Sequence, residues 1–149
     1  MPEIKKKLFE GKSAAFSLKD FRIIEAELKL SKVEEENEVP LYVKFNPSGI
    51  YNSKEGVFDL AFETLVTRDV EYKNVIARAM TIGEFKFESL LTIEELPSYF
   101  YGNSIAILFP FVRAYLATIS TQGNNNTIML PVLNLSDLEK PLRENTKVI

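Results

Sequence analysis

Chemistry in this chain would have to rest on oxygen atoms, because its 149 residues contain no histidine and no cysteine. That removes the commonest general base, the commonest transition-metal ligand and every thiolate nucleophile. The remaining candidates for acid–base work are the carboxylates Glu25 and Glu27, and Asp59 and Glu63. Each pair falls in an alternating strand pattern, which makes it the solvated face of a sheet rather than a catalytic dyad. Ser13, Ser17 and Ser120 have no histidine to activate them, which argues against a serine nucleophile. The acidic run Glu34-Glu-Glu-Asn-Glu38 could attract a cation or a basic partner, but a solvated loop accounts for it. The residue types point to binding rather than catalysis, with no metal and no cofactor. A carboxylate-based small-ligand enzyme is the remote alternative, and it would need a convergent acidic pocket.

Binding candidates are aromatic. Tyr99-Phe100-Tyr101 puts three rings in a row on an irregular stretch, Leu90–Asn103, interrupted by Pro97. Three consecutive rings there cannot all point inward, so they are groove candidates together with Phe109. Ala106 to Gly123 reads as a helix with Pro110 in its first turn and Gly123 at its C-cap. Between Phe111 and Ile119 the only charged side chain is Arg113. Phe111, Val112, Tyr115, Leu116 and Ile119 cover more than the single stripe a surface helix needs, which predicts a second subunit on one flank.

The elements around the helix read as strands. Phe16–Leu30 alternates, but its phase shifts twice, which predicts β-bulges. Leu41–Phe45, Val57–Thr67 and Val75–Phe87 follow, with turn signals at Asn46-Pro-Ser-Gly49 and Asn52-Ser-Lys-Glu-Gly56. Gly83 marks a bulge or a close backbone approach. Ile128–Leu135 carries Pro131, so it reads as an extended segment rather than a central strand. Ser136 or Asp137 could cap a short final helix. The expected class is α+β: a four-stranded antiparallel sheet with a long and a short C-terminal helix on one side. Residues 1–149 form one domain, with 1–13 a flexible lead-in and 139–149 a frayed tail.

Composition narrows the partners. The 18 Lys and Arg residues against 21 Asp and Glu give a net charge of −3, without bulk attraction to nucleic acid or anionic membranes. The basic run Lys5-Lys-Lys7 reads as a solvated tail. The N-terminus has no apolar signal core, and no apolar run approaches membrane-spanning length, so a cytoplasmic protein is the expectation.

Ile107-Leu-Phe-Pro-Phe-Val-Arg113, then Gly123, then Leu130-Pro-Val-Leu-Asn-Leu-Ser-Asp-Leu138 resembles the C-terminal half of the SecB export-chaperone family. Gly83-Glu-Phe85 is similar to the family's glycine-aliphatic-phenylalanine at the end of its last strand. The resemblance implies an ATP-independent holdase that keeps unfolded preproteins from aggregating in apolar grooves. It implies a homotetramer, a dimer of dimers joined through the long helices. It also implies docking on the motor ATPase SecA through acidic residues of the exposed sheet face. Those positions fall at Asp20, Ile24 and Arg78, of which only Asp20 is acidic, and this argues against delivery to SecA. Some SecB-like proteins instead protect the antitoxin of a toxin–antitoxin system, which is the alternative function.

Overall fold

The computed structural model describes residues 15–30, 40–131 and 133–149. The expected lead-in at 1–13 and the acidic loop Glu34–Glu38 lie outside the described residues.

Four long strands form first: β1 (Phe16–Leu28), β2 (Tyr42–Asn52), β3 (Val57–Thr67) and β4 (Val75–Phe87). They pair antiparallel in the order β1-β4-β3-β2. The bounds of β3 and β4 are those their alternation predicts. Phe58, Leu60, Phe62 and Thr64 are buried between more exposed Asp59, Ala61 and Glu63. The two phase shifts of β1 are register shifts at Leu18/Asp20 and Ile23/Glu25, which leave Lys19 and Ile24 as the extra residues.

Three expectations are corrected. Asn46-Pro-Ser-Gly49 is not a turn but the middle of β2, where Pro47 stands opposite Phe62. Proline is tolerated there because the outer neighbour of β2 begins only at Gly49, so the missing N–H faces an open edge. The second correction concerns the C-terminus, which is ordered rather than frayed. It forms the short helix α2 (Glu139–Glu144) and a strand β5 (Thr146–Val148). β5 runs parallel to β2, so the sheet is five-stranded and mixed rather than four-stranded and antiparallel. Backbone bonds from Gly49 N–H to Asn145 O (3.1 Å) and from Ile149 N–H to Tyr51 O (2.9 Å) flank the pairing.

The third correction is the long helix. It is α1 (Phe100–Gln122), which starts six residues before Ala106 and carries Pro110 in its interior. Proline cannot donate to the Ala106 carbonyl. Ala106 and Pro110 are both exposed, so water can reach the freed acceptor. Gly123 is the C-cap, as expected, with φ −76°, and the left-handed residue that follows it is Asn124 (φ 60°).

One stripe of α1 packs on the inner sheet face: Phe100, Ile105, Leu108, Val112 and Leu116 are fully buried. The Phe100 ring is wedged between Phe16 (4.8 Å), Phe58 (4.8 Å) and Phe87 (4.7 Å). Gly83 is the close approach its position suggested, since a Cβ there would meet both Leu108 methyls at 3.2 Å. By length and composition α1 could cross a membrane, but here its apolar stripe is spent on the sheet.

Candidate functional site

The outer face of α1 carries small residues at helical spacing: Gly102, Ala106, Pro110, Ala114 and Ala117. They repeat at four- and three-residue intervals and so fall on one line. Small side chains there leave a trough along the helix, and the chain leaving α1 folds back beside it as a wall. Ile128 and Leu130 point inward and are buried, whereas Met129 between them is 58% exposed, the alternation of an extended strand. Met129, Leu133 and Leu135 close an open groove of about 780 Å³, with Tyr99 and Glu139 also lining it.

Side chains, not strand pairing, hold this wall. The Ser120 hydroxyl accepts the Ile128 N–H at 2.8 Å and donates to the Leu116 carbonyl at 2.9 Å. The Arg113 Nε donates to the Leu130 carbonyl at 2.6 Å. The hydroxyls of Thr121 and Thr127 meet at 2.7 Å. Ser120, weighed above as a nucleophile, is thus a structural staple. A smaller hollow of about 410 Å³ lies beside the groove, lined by Ala15, Phe16 and Ile107. Tyr99, Asn103 and Ala106 line both hollows.

The aromatic candidates divide sharply. Tyr99 is 52% exposed at the junction of the two hollows. Phe109 is mostly buried, edge-on to Phe45 at 5.6 Å, yet it reaches the groove lining. Phe100 and Tyr101 are corrected from groove to core. They belong to the first turn of α1 rather than to an irregular crossover, so the helix turns them onto the sheet. Tyr101 instead stacks under the Arg143 guanidinium, 4.8 Å from the ring centroid, beside a separate pocket.

The interface candidates divide in the same way. Val112 and Leu116 are fully buried against the chain's own sheet and cannot meet a second subunit. Tyr115 and Ile119 are half-buried. Phe111 is 40% exposed and stacks on Phe21 of β1 with centroids 4.3 Å apart.

The carboxylates lie elsewhere, on the opposite face of the sheet. Arg78 donates to Glu25 at 2.6 Å and to Glu63 at 2.8 Å. Asn46 donates to the same Glu63 carboxylate at 2.8 Å. Burial pushes the Glu63 carboxyl up, but the hydrogen bonds from Asn46 and Arg78 outweigh it, so the group titrates below the usual carboxylate range. Asp20, Glu84 and Asp59 stand side by side across β1, β4 and β3. Partial burial, with the Glu84 charge beside it, raises the Asp59 carboxyl. Arg78 thus sits between two carboxylates, which offset its charge on this face. Asp20 is exposed and paired with Arg22 at 3.2 Å. Among the described residues, no group of three or more His, Cys, Asp or Glu side chains is placed to hold a metal ion.

The groove floor and wall were missed in the sequence. Alanine and glycine give no hydrophobic signal of their own, although the spacing from Gly102 to Ala117 was there to be read.

No family model matches the chain. It is 26% identical over 143 residues to the uncharacterized protein MJ0357 of Methanocaldococcus jannaschii, a match covering 89% of this chain and 90% of that one. Among solved structures it is similar to the Mycobacterium tuberculosis SecB-like chaperone Rv1957, solved in complex with a ChAD peptide from the Rv1956 HigA1 antitoxin. The TM-score is 0.57 at 16% identity, over 80% of this chain and 91% of that one. A weaker likeness, with a TM-score of 0.40, links it to a protein of unknown function from Streptococcus agalactiae, at 12% identity over 78% of this chain and 97% of that one.

Proposed function

We propose that this chain, which has the SecB-like fold, is an ATP-independent chaperone that holds extended segments of non-native polypeptides along α1, in the cytoplasm. The carrying observation is the groove itself: about 780 Å³, open, floored by small residues and walled by Met129, Leu133 and Leu135. The line of small side chains along the floor lets a bound backbone approach the helix, while its side chains settle between wall and floor. Apolar contacts with few fixed polar groups suit many sequences, as a holdase requires. The likeness to a SecB-like chaperone supports the reading at the level of fold.

A second reading is favoured by one observation: that structural neighbour was solved with a peptide from an antitoxin. On this reading the groove serves one dedicated antitoxin rather than many clients. Unfolded preproteins or a single antitoxin are thus the two candidate occupants. The exposed Phe111, Phe21 and Ile107 form an apolar patch beside the groove, and we assign self-association, up to a tetramer, to that face.

The test fills the groove. Ala106 and Ala114 are exposed on its floor, so Ala106→Trp with Ala114→Trp obstructs it without entering the core. The parent should suppress aggregation of an unfolding protein without nucleotide, and the filled variant should lose at least about tenfold in client affinity. Equal protection by a well-folded filled variant would remove the groove from the function. Protection limited to one antitoxin would decide for the second reading.

A further inference from the structure

The charged side chains of the groove lining are Arg113 and Glu139, of opposite sign. They stand at different ranks along α1. The Glu139 Oε2 lies 3.8 Å from where a Cβ on Gly102 would stand, which puts this carboxylate beside the first turn. Arg113 comes three turns later, about 16 Å along the axis at roughly 1.5 Å per residue.

Arg113 is also without a counter-charge. Arg22, Arg78 and Arg143 each pair with a carboxylate. Among the described residues Arg113 has no such partner, and only its Nε is engaged, by the Leu130 carbonyl at 2.6 Å. A guanidinium carries five N–H donors in a planar fork, so both Nη groups remain to meet an acceptor. Arg113 is half-buried in a lining that includes Phe109, Ala114 and Met129, which limits its hydration. A carboxylate bound there would form short, charge-assisted bonds to the fork. Glu139 divides its oxygens: Oε1 accepts from Arg143 at 3.4 Å, and Oε2 is the one beside the floor.

We propose that the groove selects extended segments with an acidic side chain for Arg113 and, about four residues away, a basic side chain for Glu139. The proposal rests on reading the groove as a polypeptide site. A helical arginine leans toward the helix N-terminus, which shortens the span it must share with Glu139. In an extended chain, side chains four residues apart share a face and stand about 13 Å from each other. The residues between them meet the small floor and Met129, where apolar character counts more than sequence. Apolar contact then holds the segment, while the charges choose it and fix its direction.

The test uses the full chain and short peptides of Val, Thr and Ser with both ends blocked, so that only side chains carry charge. One peptide has Glu and Lys four residues apart, made in both orders. The others replace Glu, Lys or both by Gln, and binding is read by calorimetry. In the order that binds more tightly, Glu→Gln in the peptide should cost about tenfold. Lys→Gln should cost about threefold, because the Glu139 side chain is 40% exposed. Arg113→Gln in the protein should abolish the Glu preference and Glu139→Gln the Lys preference. These preferences are ratios, so a uniform loss from a loosened wall cancels out of them. Equal binding of all the peptides overturns the charge selection and leaves the polypeptide groove standing. Preferences that persist in both protein variants place the contacts elsewhere and also overturn it. No binding by any peptide, the neutral one included, overturns the groove reading together with the proposal.

Discussion

The Arg113 guanidinium reaches from the middle of α1 to the Leu130 carbonyl at 2.6 Å, and so ties the groove's wall to its floor. A charge-assisted bond of this kind is stronger than a neutral one. It acts on a segment that has no strand partner among the described residues. Arg113→Ala should cost about 1.5–3 kcal/mol locally, seen as faster hydrogen exchange at Ile128 and Leu130. Client affinity should fall with it, while the sheet's exchange protection stays unchanged.

Phe100 is core, and its replacement should behave accordingly. Phe100→Ala removes a ring that touches Phe16, Phe58 and Phe87. The expected loss is about 3–5 kcal/mol of stability by denaturant titration. Tyr99→Ser, at an exposed position, should leave stability within about 0.5 kcal/mol and weaken client binding instead.

The Phe21–Phe111 stack marks the face assigned to self-association. Both rings keep more than a third of their surface exposed, at 38% and 40%, although they cover each other. Phe111→Ser should shift sedimentation toward the smaller species with little change in Tm. A parent that stays monomeric at micromolar concentration would remove this assignment.

Glu63 gives the chain a predictable acid response. Its folded carboxyl titrates below the ordinary 4.5, so its stabilisation is present above that value and is lost as pH falls through the folded value. Tm should therefore drop in that acidic window, and Glu63→Gln should flatten the drop. Arg78→Glu would set a third carboxylate against Glu25 and Glu63 and should lower Tm at neutral pH. A gain of motor binding by that variant, with stability intact, would contradict the network.

Period-2 patterning made β3, β4 and the two bulges of β1 legible, because each has one face on the core and one in water. Three features were set by contacts distant in sequence. Pro47 sits in β2 only because β5 leaves that edge open, which local turn chemistry does not express. β5 exists through its pairing with Gly49–Tyr51, so a charged C-terminus read alone looks like a tail. The helix start was hidden by Pro110, whose lost hydrogen bond is tolerated on an exposed face. The resemblance carried on Ile107–Arg113 and Leu130–Leu138 led to the right fold, but it did not separate buried aromatics from exposed ones. That separation depends on the helical phase of Phe100 and Tyr101.

The central claim is that the trough on α1 is where another polypeptide is held. The direct measurement is a backbone amide map of the isotopically labelled chain titrated with an unfolded client peptide. The account predicts shifts concentrated at Gly102, Ala106, Ala114, Ala117 and Met129, with Arg78 and Asp59 on the opposite sheet face unmoved. Shifts centred on that sheet face, with the α1 trough silent, would contradict it.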